Sequence, residues 1–246
     1  MFEFISHLFR QNAPAPSFGE VPRPDAPFTA IGDIHGRADL LEQLIPKLPA
    51  DHRLVFVGDY IDRGPDSAEV LTLIEELAAT RNVTCLRGNH EQMCLDFLES
   101  PNNRTKLWLK HGGLQTLSSY GINVDLEAEP DLEALAAALS EALGTTRIDW
   151  LKSLRPIWHS GDVAVVHAAA DPALPMAEQS DKSLLWGHPA FRSEPRTDGI
   201  WVVYGHTIVP EAYVEDGRIA IDTSAYLSGK LSAVTLDGAR LFFTHT

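Results

Sequence analysis

The stretch Phe28-Thr29-Ala30-Ile31-Gly32-Asp33-Ile34-His35-Gly36 decides the fold, because a β-like run ends abruptly in a turn that carries an acid and an imidazole. The same arrangement recurs twice. Leu54-Val55-Phe56-Val57 runs into Gly58-Asp59-Tyr60-Ile61-Asp62-Arg63-Gly64, and Val83-Thr84-Cys85-Leu86 runs into Arg87-Gly88-Asn89-His90-Glu91. Segments 38–45, 66–79 and 91–98 have the apolar spacing of amphipathic helices, and Asp66 is a predicted N-cap for the second of them. Such alternation implies βαβ units, a largely parallel sheet and an α/β fold. Ligands of open α/β sheets bind outside the carboxyl ends of the strands, so three such ends can bring Asp, His and Asn to one point. Carboxylate and amide oxygens mixed with imidazole suit manganese, iron or zinc, and argue against calcium, which prefers an all-oxygen cage. Glycines at 32, 36, 58, 64 and 88 fit the tight turns and close backbone approach that such a site needs.

Outward from this stretch the pattern changes twice. Residues 101–154 are rich in Ala, Leu and Glu, with Leu132, Leu135, Leu139 and Leu143 on one helical face. They are expected to form a helical insertion that covers the sheet. Strands return at 163–167, 201–204, 218–221, 231–236 and 241–244. Asp216-Gly217 and Asp237-Gly238 are hairpin signals, so this end is expected to be antiparallel. Two of these runs end in histidine, Val163-Ala164-Val165-Val166-His167 and Trp201-Val202-Val203-Tyr204-Gly205-His206.

Composition narrows the class. A chain of 246 residues, 44% hydrophobic, is of a size to bury one substantial core. The net charge of -14 argues against a nucleic-acid binder, which gains affinity from Lys and Arg on phosphates. The two cysteines, Cys85 and Cys94, form no disulfide framework and fit a reducing, cytoplasmic setting. Residues 1–26 form a Pro-rich extension without the features of a signal peptide or a membrane span, although Phe2, Ile5, Leu8 and Phe9 recur at helical spacing. The oligomeric state leaves no trace in the sequence.

The three motifs, GDxHG, GDxxDRG and GNHE, with Tyr204-Gly205-His206-Thr207, Ile221-Asp222-Thr223 and Gly229-Lys230-Leu231, resemble the calcineurin-like metallophosphoesterases, and within them the phosphoprotein phosphatases. The resemblance covers most of the chain from Phe28 to Thr235. It implies a catalytic domain over 27–246, built as a β-sandwich of two mixed sheets flanked by helices (α/β/β/α). It also implies two divalent metal ions, Mn2+ first with Fe or Zn as alternatives, bridged by Asp59. One would be completed by Asp33 and His35, the other by Asn89, His167 and His206. A hydroxide bridging the ions would attack phosphorus in line, His90 would protonate the leaving oxygen, and Asp62 would hold its ring. Arg63 and Arg87 would bind the phosphate, where a planar guanidinium can donate two parallel bonds. The family often places another phosphate-binding arginine after a tryptophan, but here Trp186 is followed by Gly187 and His188, leaving His188 or Arg192 as substitutes. Glu91 is expected to orient neighbours without touching metal.

The partner implied is a phosphorylated protein or a small phosphate ester. A serine/threonine protein phosphatase, with phosphotyrosine as a further substrate, is the first reading, because Glu91 matches protein phosphatases better than symmetrical diadenosine tetraphosphate hydrolases. Such a hydrolase is the alternative; its base and polyphosphate would need groups such as Trp108, Lys106 and Lys110, though Trp108 also reads as core. A catalytically inactive phosphoprotein-binding module is the third reading, disfavoured because every expected ligand is present.

Overall fold

The computed structural model describes residues 21–102, 104–125, 127–238 and 240–246; the apolar spacing over 2–9 lies outside them. Strands β1 (Phe28–Ile31), β2 (Arg53–Phe56) and β3 (Val83–Cys85) alternate with helices α1 (Ala38–Leu44), α2 (Ser67–Thr80) and α3 (Asn89–Glu99), as the sequence predicts. Asp66 stands at the start of α2, but its side chain makes no capping bond. The insertion supplies a kinked turn at Leu109–Gly113, α4 (Leu114–Ser119) and α5 (Leu132–Ser153). The chain continues through β4 (Ile157–Ser160), β5 (Val163–Val166), α6 (Asp181–Trp186), β6 (Trp201–Tyr204), β7 (Tyr213–Glu215), β8 (Arg218–Ala220), α7 (Ala225–Ser228), β9 (Ser232–Asp237) and β10 (Arg240–His245).

These strands make two five-stranded sheets, ordered β10-β9-β1-β2-β3 and β4-β5-β6-β8-β7. Both are mixed. The hairpin signals hold, since β7 pairs antiparallel with β8 and β10 with β9. The expectation of a wholly antiparallel C-terminal part is corrected, because β5–β6 and β6–β8 pair in parallel. The connection from β5 to β6 is long enough to carry α6 across the outer face, which a parallel crossover requires.

Strand alternation explains the layering, because successive side chains leave opposite faces. Ala30, Val55, Val165, Val203, Ile219 and Val234 point between the sheets and form the inner core. Ile31, Leu54 and Phe56 face outward to meet α1, α2, α3 and α5, where Leu139, Leu143 and Leu151 of the insertion are buried. Ala164, Val166, Val202 and Tyr204 face the other way, beneath Leu184 of α6 and Phe191. The result is a four-layer α/β/β/α sandwich. Of the N-terminal extension, residues 21–26 belong to the described part. They run along the β4–β5 turn, where the Arg23 amide donates to Asp162 Oδ1 (2.6 Å) and the Gly161 amide to Asp25 Oδ2 (2.8 Å).

Candidate metal centre

The carboxyl ends of β1, β2 and β3 and those of β5, β6 and β8 open onto one place. Seven non-glycine residues have positive φ among the described residues. Six of them, His35, Asp59, Asp62, Arg63, His206 and Ser224, stand in these loops; the seventh, Asp216, turns the β7–β8 hairpin. L-residues rarely adopt this conformation and pay for it, so the surrounding bonds must hold the loops. Two glycines allow the approach. A Cβ on Gly88 would lie 2.2 Å from Asp59 Oδ1, and one on Gly205 would lie 2.0 Å from Asp33 Oδ1.

Asp59 stands at the centre. Its Oδ2 lies 3.4 Å from His35 Nε2 and its Oδ1 lies 3.4 Å from His167 Nε2. Two ligand groups therefore share it: His35, Asp59 and His90 on one side, and Asp59, His167 and His206 on the other, with the atoms of each group within 4.8 Å of one another. His35 Nδ1 faces Ile61 O at 2.9 Å and His167 Nδ1 faces Val57 O at 3.1 Å. Each carbonyl takes the Nδ1 proton and aims an unprotonated Nε2 inward, the arrangement typical of metal-binding histidines. Asn89 Oδ1 lies 2.8 Å from His167 Nε2 and 2.9 Å from His206 Nδ1, which brings Asn89 into the second group. Asp33 accepts the His206 amide on Oδ2 (2.9 Å), whereas its buried Oδ1 has no hydrogen-bond partner.

The electrostatics suit a cation. Burial, then the charges of Asp222 and Asp59, push the Asp33 carboxyl well up. Burial likewise lowers His35 to about 3 and His167 to about 4, and lowers His206, so these imidazoles are neutral and free to bind metal. Burial opposes ionisation of Asp59 too, but His167, His90 and His35 outweigh it and hold its pKa down. An orphaned carboxylate oxygen, crowded acids and inward imidazole lone pairs fit a pair of divalent ions bridged by Asp59, in which Asp33 Oδ1 would find its partner.

His90 is fixed differently. Its Nδ1 lies 2.6 Å from Asp62 Oδ2, and its Nε2 faces Arg63 Nη2 at 3.1 Å and Asp59 Oδ2 at 3.9 Å. Arg63 also lies over the Tyr226 ring, 5.0 Å from its centroid, and the same ring packs edge-on against His35. Glu91 supplies no atom to either ligand group. It accepts the amides of Asp59 and Gly88 on Oε2 and those of Tyr60 and Ile61 on Oε1, at 2.9 to 3.3 Å. Burial and the Asp59 charge push it up to about 8, yet four N–H donors on two oxygens leave no place for a proton, so it is held as the carboxylate.

Three expected phosphate ligands lie elsewhere. Arg87 is turned toward the end of α5, donating to Leu154 O (2.7 and 3.2 Å) and Gln92 Oε1 (2.9 Å). His188 faces Asp171 Oδ2 at 3.5 Å. Arg192 is exposed beside Tyr204 on the outer face of the second sheet. Asp222 and Tyr226, which the sequence does not single out as site residues, lie beside the ligand groups. Asp222 is buried and pushed up to about 6 by that burial and by Asp59. Its signal was present: Ile221-Asp222 ends an apolar strand, as Ile31-Gly32-Asp33 does. Among the described residues no helix is long and apolar enough to cross a membrane.

The model of the calcineurin-like phosphoesterases matches residues 26–210, and the chain belongs to that family. It is therefore an enzyme of phosphoester hydrolysis. Serine/threonine-protein phosphatase 1 of Salmonella typhimurium is 33% identical over 212 residues, covering 82% of this chain and 88% of that one. The asymmetrical bis(5'-nucleosyl)-tetraphosphatase PrpE of Halalkalibacterium halodurans is 26% identical over 235 residues, 84% and 89% of the two chains. In fold, the cold-active protein-tyrosine phosphatase of a Shewanella species superposes with a TM-score of 0.59 at 19% identity, covering 90% of this chain and 80% of that one.

Proposed function

We propose that this phosphoesterase is a manganese-dependent phosphomonoester hydrolase acting on phosphoserine and phosphothreonine of proteins. The observation that carries the reading is Asp59 shared between two ligand groups, with the His90–Asp62 pair at their edge. Two divalent ions held there would lower the pKa of a shared water and clamp the attacking and leaving oxygens of an in-line displacement. Asp33, His35, Asp59, Asn89, His167 and His206 are the residues to hold them. Arg63, partly exposed and beside His90 Nε2, is placed to take the phosphate oxygens and leave that imidazole to the ester oxygen. His90 then delivers a proton to the departing alkoxide, and buried Asp62 stabilises the imidazolium and fixes the ring.

Glu91 and Trp108 support a protein substrate. The four amide bonds made by Glu91 need the longer reach of glutamate, the residue type that marks protein phosphatases at this position. Trp108 is 1% exposed and so cannot stack on a base, while Lys106 is paired with Glu129. A nucleotide polyphosphate hydrolase is the second reading, favoured by the PrpE relatives, whose name makes the asymmetrical rather than the symmetrical cleavage the one to test. With manganese, release of phosphate from a phosphoserine peptide, and little turnover of diadenosine tetraphosphate, is the expected result. Cleavage of the dinucleotide with no phosphate released from peptides would replace the first reading by the second.

A further inference from the structure

Asp62 carries more donors than its part in holding His90 requires, and two of them come from the insertion. Its Oδ2 accepts the Trp108 indole N–H at 2.8 Å beside His90 Nδ1 at 2.6 Å, and its Oδ1 accepts the Thr116 hydroxyl at 2.6 Å. The Asp62 amide lies 2.9 Å from Thr116 Oγ1 and 3.0 Å from Ser67 Oγ, and the Arg63 amide donates to Gly112 O at 3.4 Å. All of these groups are buried except Arg63. The kinked turn Leu109–Gly113 makes the approach possible. Gly112 has φ 118°, and a Cβ there would lie 2.4 Å from Arg63 N and 2.9 Å from Asp62 Cβ; one on Gly113 would meet the Trp108 ring at 2.6 Å. The segment thus grips from behind a turn whose two residues, Asp62 and Arg63, both have positive φ (74° and 67°).

We propose that Trp108 and Thr116 are positioning residues for proton donation, and that the start of the insertion is a clamp setting the Asp62 carboxylate, and through it the His90 ring, toward the leaving oxygen; the proposal rests on the general-acid reading of His90. The physical basis is the planarity of the carboxylate. A carboxylate with one fixed oxygen can still rotate about Cβ–Cγ, whereas donors on both oxygens fix the plane in which Oδ2 meets Nδ1. Loss of the Thr116 hydroxyl strips the buried Oδ1 of its donor, which is costly, and loss of the Trp108 N–H leaves Oδ2 held by His90 alone, so each removes one of the two donors outside His90 that set the carboxylate plane. Neither residue touches the substrate, and the ligand groups stay as they are.

The test separates proton donation from general damage by leaving group. An alkyl phosphate such as a phosphoserine peptide needs its leaving oxygen protonated, whereas 2,4-dinitrophenyl phosphate does not. Trp108→Phe keeps the ring between Phe97 and Gly113 but removes the N–H; Thr116→Val removes the hydroxyl and Thr116→Ser restores it. Both losses should slow the alkyl ester about tenfold or more, within the 10²–10⁴-fold reach of general acid catalysis, with the dinitrophenyl ester and metal content unchanged and with Thr116→Ser close to the parent. An equal fall on both esters, or no fall on either, would overturn the clamp. His90→Asn serves as the control: if it shows the selective loss and Trp108→Phe does not, the clamp alone fails. If His90→Asn shows no selective loss, the general-acid reading fails and the clamp with it.

Discussion

The two sheets supply one cluster in different ways. The first delivers Asp33, His35, Asp59, Asn89 and His90 within runs of motif residues whose loops brace one another: Asp59 O accepts the amides of Ile34 and His35, and Glu91 joins the loops after β2 and β3 through four amides. The second sheet delivers single residues, His167, His206 and Asp222, and two of these are aimed by the first. His167 Nδ1 is set by Val57 O, and the His206 amide by Asp33 Oδ2. Damage in the first sheet should therefore reach both ligand groups, while damage in the second should stay in one.

The largest expected effect tests that asymmetry directly. Asp59→Asn should lose both ions and at least about 10³-fold in rate, since the ions supply several kcal/mol of charge stabilisation and each 1.36 kcal/mol is tenfold. His206→Ala should leave one ion bound on the Asp33–His35 side. Metal analysis of the two purified variants checks this, and equal loss of both ions in each would break the contrast.

Next in size is the brace. Glu91→Gln keeps the shape but sets an amide N–H₂ against two backbone donors, and each unsatisfied buried group costs about 1–3 kcal/mol. For a chain of this size the melting temperature should fall by roughly 2–4 °C per kcal/mol, with metal affinity falling on both sides of Asp59. Unaltered melting by calorimetry would mean that the loops hold themselves.

The first sheet was legible because its chemistry is written in consecutive residues after strands that alternate in step with the layers; residues 28–31 of that sheet have the bounds the sequence predicts, as do residues 201–204 of the second. The β4 and β7 strands were not legible, because edge strands are partly exposed and β4, Ile-Trp-His-Ser, shows no clear alternation. Asp222 ends a strand as the motif acids do, but lacks a glycine-rich turn to mark it. The clamp could not be read at all: nothing in the sequence says that Trp108 and Thr116, far along the chain from Asp62, return to it. Arg87 points away from the ligand groups for a local reason. It immediately precedes Gly88 at the start of α3, where the strand-to-helix turn sends its side chain toward Leu154 while Asn89 and His90 turn into the site.

A smaller effect concerns protonation at the edge of the first sheet's loops. Burial lowers the His90 pKa, but the charge of Asp59 and the bond that His90 donates to Asp62 outweigh it, so His90 holds its proton above the ordinary value of about 6.5. On the proposed reading of His90 as the general acid, which works protonated, the rate on an alkyl ester should fall as pH rises through that raised value. Asp62→Asn removes part of what raises it, so the fall should move to lower pH. Coincident alkaline limbs in pH–rate profiles of the two proteins would show that Asp62 does not act on the proton of His90.

The smallest expected effect, at Arg87, stands against a larger one at Arg63, two arginines that the motifs present as equals. Arg63, beside His90 Nε2 and over Tyr226, should cost about 10²-fold when replaced by Ala, the lower range for removing one donor aimed at developing charge. Arg87→Ala removes only bonds to Leu154 O, Lys152 O and Gln92 Oε1, which tie α3 to the end of α5. Its KM for p-nitrophenyl phosphate should stay within about twofold while the protein melts earlier, since bonds from a charged donor are worth about 1.5–3 kcal/mol each at most. A raised KM with undisturbed melting would put Arg87 back at the phosphate, and would mean that its guanidinium leaves Leu154 when substrate binds.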